Sequence, residues 1–184
     1  EIAGIAFARG AEVRLVCGSV RGVGNTTYQT DVTTVIATDT RSMNEAEATA
    51  ETKRISTAFG SPEGKKAIFK KTDSALRGHV VAELTALMEV TGYERAVYLP
   101  ANPSKGRIIR NGIYYIKEVR VVPLAETDFS FDPEVPAKTS VLRERFPDAE
   151  AKGIIMPDAE SEQDIRMVIQ QYDDGKTIFA GAAD

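Results

Sequence analysis

The nine residues KKTDSALRG (70–78) crowd Lys70, Lys71, Asp73, Ser74 and Arg77 into the junction between a strand pattern, KAIFK (66–70), and a helical one, GHVVAELTALMEV (78–90). Cations beside the free amides at a helix start hold carboxylates or phosphates, and Asp73 and Ser74 have the groups to bond sugar hydroxyls. The plainer reading makes Asp73 or Ser74 a helix cap and leaves the lysines in water. A second cluster, PANPSKGRIIRNG (100–112), also follows a strand pattern and carries Lys105, Arg107, Arg110 and Asn111 on a backbone eased by Gly106 and Gly112; its alternative is an ordinary basic loop. A third, ATDTRS (37–42), ends a strand with Asp39, Thr40, Arg41 and Ser42. Three strand ends carrying cations and short hydroxyl or carboxyl groups fit one site for a small, hydroxylated anion.

Other features carry less. GSVRGVGN (18–25) matches neither GxGxxG nor GxxxxGK[ST] and reads as a turn, which disfavours a nucleotide-binding domain in its own right. His79 stands near a helix start, where it is either a base or a surface residue close to ligand. Cys17, inside a strand pattern, reads as a buried apolar filler. The mixed-charge segment 44–59 reads as a helix with a solvated outer face.

The elements that must position these groups alternate. Helical spacing marks residues 1–10, with Gly10 as a stop; strands follow at 12–17 and 34–38, then the helix from 44 with Asn44 as N-cap. After the strand at 66–70 and the helix closed by Gly92, RAVYLP (95–100) is a fourth strand, 101–112 a loop, and 113–124 two β-rich halves able to pair as a hairpin. Residues 126–139 read as a long ordered loop, 140–146 as a short helix, 153–157 as a strand, 161–172 as a helix with Ser161 and Asp164 near its start, and 177–180 as a last strand. This rhythm predicts an α/β, Rossmann-like three-layer domain: a mostly parallel sheet with helices on both faces, and a ligand at the strands' carboxyl ends.

Composition bounds the partners. The chain has 184 residues, 42% hydrophobic and 27% charged, within the ordinary range for folded domains. A net charge of -4 argues against broad binding to nucleic acid or anionic membrane. One cysteine and one histidine exclude an internal disulfide and a His-rich or Cys-rich zinc set, and a reducing cytoplasm fits best. No apolar run reaches the roughly 18–20 residues that span a bilayer.

Taken in order, KKTDSALRG, PANPSKGR, NG and ETDFSFDP, with TDTRS before them and FAGAAD at the end, resemble the sugar-binding N-terminal domain of the four-carbon acid sugar kinases. The resemblance runs from Glu1 to Asp184. It implies a two-domain enzyme that phosphorylates threonate, erythronate or 3-oxo-tetronate, with this domain gripping the sugar acid. ATP and Mg would be bound mainly by a C-terminal domain that lies outside this sequence. Carried over by motif, Asp39, Arg41, Lys71, Ser74, Arg77, Gly106, Arg107 and Asn111 are the expected substrate-binding residues, together with Thr127. Asp73 is the expected catalytic, hydroxyl-orienting residue.

One departure matters. Family members place a strand and an Asp-Asp motif just before the helix that here begins at Glu1, and this sequence has no such motif. With a helix that begins in mid-stride at Glu1 and an apolar run that leads into FAGAAD, we expect both ends to be cut, and, the nucleotide-binding half being absent too, these 184 residues alone to be inactive. The general base is open between Asp73 and the missing aspartates, and either Lys70 or Lys71 faces the pocket. A small-molecule partner is expected, and a homo-oligomer is allowed. A module that senses or binds a small anionic metabolite without catalysis is the alternative reading.

Overall fold

The computed structural model describes residues 1–17, 32–57, 67–118 and 120–182. The turn expected at 18–25 lies outside them. Five α-helices stand among the described residues: α1 (Ile2–Ala8), α2 (Glu45–Ser56), α3 (Val80–Thr91), α4 (Leu142–Arg145) and α5 (Glu162–Tyr172). The strands are β1 (Val13–Val16), β2 (Thr33–Ile36), β3 (Phe69–Lys71), β4 (Arg95–Tyr98), β5 (Arg107–Arg110), β6 (Ile113–Lys117), β7 (Val121–Pro123), β8 (Ile154–Ile155) and β9 (Thr177–Gly181). The expected α/β architecture is present. Local signals set the helix ends: Asn44 and Glu47 form a reciprocal capping box on α2, Ser161 and Asp164 do the same on α5, and Gly92 closes α3 at φ 76°.

The central sheet is all parallel, in the order β3-β9-β4-β8, and β1 pairs with β2, also parallel. Its core gathers Leu84 and Leu87 of α3, Tyr98 of β4, Ile178 of β9 and Leu142 of α4, with the Tyr98 ring meeting Phe146 edge-on at 5.4 Å. The hairpin expected over 113–124 forms as β6 and β7, antiparallel. A third strand was not expected: β5 lies within 101–112, read above as loop, and pairs with β6 through a two-residue turn in which Asn111 and Gly112 have φ 52° and 70°. Asn-Gly is the dipeptide that a turn with two positive φ angles demands.

Two burial expectations change. Cys17 is exposed rather than buried, because the β1–β2 pair supplies none of the buried core residues. α2 is not simply an outer face: Ala48, Thr52, Ile55 and Ser56 are buried where it packs on α3. No helix among the described residues is long and apolar enough to cross a membrane.

Candidate functional site

Beyond the ends of β2 and β3, the chain lines a cavity of about 190 Å³ with Thr38, Asp39, Thr40, Arg41, Lys70, Lys71, Thr72, Asp73, Arg77, Gly78, Val80 and Glu83. Drug-sized ligands occupy roughly 300–1,000 Å³, so this space suits a smaller metabolite. Of the residues expected from sequence, Asp39, Arg41, Lys71, Asp73 and Arg77 meet here. Asp39 sits exposed at φ 52° and begins the 3-10 turn Thr40–Ser42 without a capping bond from its side chain. A non-glycine residue held in the left-handed region is the kind of local strain that accumulates at binding sites.

Asp73 is the knot of the site. Its Oδ2 accepts hydrogen bonds from Arg77 Nε (2.9 Å), the Ala75 amide (2.9 Å) and, more loosely, the Arg77 amide (3.4 Å). Its Oδ1 accepts from Arg77 Nη2 (2.9 Å) and Arg41 Nη1 (3.2 Å). Burial alone would raise the Asp73 carboxyl; the paired Arg77 and the amides of Ala75 and Arg77 outweigh it and hold the carboxyl below its ordinary value. So engaged, Asp73 is a poor proton acceptor and a good organiser. Arg77 is held charged above its ordinary value, chiefly by Asp73, and reaches on to Asp132 Oδ2 at 3.0 Å. The turn between them is strained at Leu76, a buried residue at φ 62°, whose carbonyl accepts two hydrogen bonds from Arg145 (3.1 and 2.9 Å). A distant helix thus pins the loop that carries the site.

The four cations differ in how firmly they are committed. Lys70 Nζ lies 2.6 Å from Glu83 Oε2, with the two side chains only 17% and 7% exposed. Removing a partner from such a pair leaves a buried charge and costs several kcal/mol, so Lys70 is locked. Lys71, the next residue on β3 and therefore on its opposite face, pairs with Glu1 at 2.8 Å, with both side chains at least 40% exposed. Arg41, 54% exposed, holds Asp73 by one longer contact. Exposed pairs of this kind contribute about 0–1 kcal/mol, so Arg41 and Lys71 can exchange their partners for an incoming carboxylate.

The other expected residues lie away from the cavity lining. Ser74 offers its carbonyl to the Tyr114 hydroxyl (2.8 Å). Gly106 is glycine for a local reason: at φ 68°, a Cβ there would stand 2.2 Å from the Lys117 carbonyl oxygen of the neighbouring strand. Arg107 stacks over the Phe129 ring at 5.7 Å. The Asn111 and Gly112 amides both donate to the Asp158 carboxylate (2.6 and 2.9 Å), which closes the β5–β6 turn. Thr127 caps a 3-10 turn by accepting from the Phe129 amide. His79 ties the start of α3 to the Met43 carbonyl (2.8 Å) and is not in the lining.

Sequence reasoning overlooked Glu83 and Thr72. Glu83 is a single acid in the apolar run VVAELTALM, a signal that its charge is buried and answered elsewhere. Thr72 lines the cavity between Lys71 and Asp73 with its hydroxyl buried.

Residues 3–151 match the family described as a sugar-binding N-terminal domain. A D-threonate kinase of Salmonella typhimurium is 28% identical over an alignment of 163 residues that covers 74% of this chain and 38% of that protein. A D-erythronate kinase of Heliobacterium modesticaldum is 33% identical over 110 residues, 58% of this chain and 24% of that protein. The chain therefore spans well under half the length of these relatives. In three dimensions, a Bordetella bronchiseptica protein described as a domain of unknown function, a domain-swapped dimer with bound citrate, superposes over 98% of this chain and 51% of its own, with a TM-score of 0.79 at 21% identity. A Haemophilus influenzae structure does so with a TM-score of 0.76 at 19% identity. With the match to residues 3–151 covering most of its length, the chain belongs to the family of sugar-binding N-terminal domains.

Proposed function

We propose that this chain is the sugar-acid-binding domain of an ATP-dependent kinase acting on a four-carbon acid such as threonate or erythronate. The observation that carries the reading is the cavity itself: two exchangeable cations, Arg41 and Lys71, stand beside Asp39, Asp73 and three threonines, in a chain whose relatives are named D-threonate and D-erythronate kinases. A four-carbon sugar acid is one carboxylate and several hydroxyls, and needs those two kinds of partner.

The chemistry follows from the commitments of each group. An incoming carboxylate draws Arg41 and Lys71 off Asp73 and Glu1, gaining charge-assisted hydrogen bonds worth about 1.5–3 kcal/mol each. Asp73 Oδ1 is then relieved of one donor and free to accept a substrate hydroxyl, while Arg77 keeps its carboxylate oriented. The Asp73 role is thus to aim the hydroxyl, consistent with a phosphoryl transfer that asks the protein chiefly for positioning. ATP and Mg supply the transferable phosphoryl group and its charge neutralisation. As the resemblance above implies, we assign both mainly to the remainder of the kinase and infer that residues 1–184 alone do not turn over. Ser74, Arg107 and Asn111 act on the site through the loops they brace. Self-association in the cytoplasm completes the proposal, supported by the Bordetella bronchiseptica relative's description as a dimer.

The test is ADP release by the full-length gene product with Mg-ATP and a panel of threonates, erythronates and their 3-oxo relatives. Turnover with one of them establishes the kinase and names its substrate. Binding of an acid without ADP would instead favour a metabolite-sensing module.

A further inference from the structure

One carboxylate oxygen joins three separate elements under the cavity. Glu83 Oε2, on the first turn of α3, accepts from Thr40 Oγ1 at 2.7 Å and Thr52 Oγ1 at 3.4 Å, and pairs with Lys70 Nζ at 2.6 Å. Glu83 and both threonines are 5% exposed, so these bonds form out of water, where an unmade one is costly. The three partners do different things. Thr52 belongs to α2 and backs the helix pair. Lys70 belongs to β3. Thr40 belongs to the turn that carries Asp39 and Arg41, and apart from a looser 3.3 Å contact with the Thr38 hydroxyl, its hydroxyl is bonded to Glu83. The same turn runs into Met43, whose carbonyl meets His79 Nε2 at 2.8 Å, so α3 holds the turn at two points. Of these, only the Glu83 tie lies directly beside Arg41.

We infer that Glu83 is a positioning residue for sugar-acid binding: through Thr40 it fixes the turn that presents Asp39 and Arg41, and through Lys70 it fixes the end of β3 that presents Lys71 and Asp73. The inference rests on the sugar-acid reading above and adds to it a residue at the cavity wall whose Oε2 is already engaged by Thr40, Thr52 and Lys70. A turn held in a left-handed conformation at Asp39 springs to other conformations when its anchor is cut, and Arg41 goes with it.

Thr40 and Thr52 make the test selective, because they bond the same oxygen from the site side and from the far side. Calorimetric titration of the full-length protein with D-threonate and D-erythronate, beside amide exchange over residues 38–43, would compare Thr40→Val, Thr40→Ser, Thr52→Val and Glu83→Gln. Thr40→Val is expected to weaken acid binding about tenfold, which is about 1.4 kcal/mol, and to speed exchange over the turn. Thr40→Ser, which keeps the hydroxyl, should restore both. Thr52→Val should leave affinity within twofold and the turn protected, even where it lowers the melting temperature as much as Thr40→Val. Glu83→Gln should behave as Thr40→Val or worse. If Thr40→Val and Thr52→Val alter affinity equally, or if Thr40→Val weakens binding while the turn stays protected, Glu83 is structural only and the inference is overturned. If the unaltered protein binds neither acid nor any 3-oxo relative, the sugar-acid reading falls, and this inference with it.

Discussion

Asp73 and Arg77 grip each other by two parallel hydrogen bonds, Nε to Oδ2 and Nη2 to Oδ1, both 2.9 Å, across a four-residue step that is not helical. Such a fork ordinarily braces one turn of helix. Here it closes a loop whose third step, Leu76, is forced to φ 62°, so the strain and the brace sit in the same five residues. Asp73→Asn keeps the shape and removes the charge that binds two guanidinium groups. Its expected cost is about 1.5–3 kcal/mol, the worth of hydrogen bonds to a charged group. Urea denaturation monitored by circular dichroism measures it, and an unchanged midpoint would show that the fork is not coupled to the fold.

Acid should unfold the protein partly through the same carboxyl. The folded-state Asp73 lies below its ordinary value, so the unfolded chain takes up this proton first as pH falls. The stability it contributes is complete above the ordinary aspartate value of about 3.9 and is lost as pH falls toward and through the lower folded value. Melting temperatures from pH 6 down to pH 3 should therefore fall more steeply for the unaltered protein than for Asp73→Asn. Parallel curves would contradict the assignment.

Arg41 and Arg77 should separate into a ligand residue and a framework residue. Arg41→Ala removes one exposed contact, so stability should change by no more than about 1 kcal/mol while acid affinity drops at least tenfold. Arg77→Ala takes two side-chain hydrogen bonds from Asp73 and one from Asp132 and should lower stability and affinity together. Thermal melts paired with titrations of the same samples distinguish the two patterns; matching losses of stability would contradict the division.

Gly106 offers a control away from the cavity. Gly106→Ala places a methyl against the Lys117 carbonyl oxygen in a conformation that disfavours side chains, so the β5–β6 pairing must give way. We expect a loss of about 2 kcal/mol or more in denaturant unfolding, with acid affinity of the folded fraction nearly unchanged. A selective loss of affinity at full stability would return Gly106 to the binding site.

Short-range physics made much of this protein legible from its residues. The capping boxes at Asn44 and Ser161 and the stop at Gly92 depend on neighbours three or four positions away, and the strand-to-helix junction at 70–78 is local as well. The Asn111-Gly112 turn was equally local; its residues were read for their chemistry when their backbone preference was the stronger signal.

Tertiary structure decided the rest, because the charge state of a site is a matter of partners and not of sequence neighbours. Lys70 and Lys71 are adjacent and identical, yet the pleat of β3 sends one into a buried pair with Glu83 and the other to an exposed pair with Glu1. Asp73 carries the sequence mark of a reactive acid, and two arginines and two amides turn it into an anchor. Motif and resemblance nominated Arg41, Lys71, Asp73 and Arg77 for the proposed sugar-acid site. Only the tertiary contacts, the Lys70–Glu83 pair between β3 and α3 and the turn after β2, decided which of these charges are held and which are exposed, since burial sets how much each charge loses by changing partners.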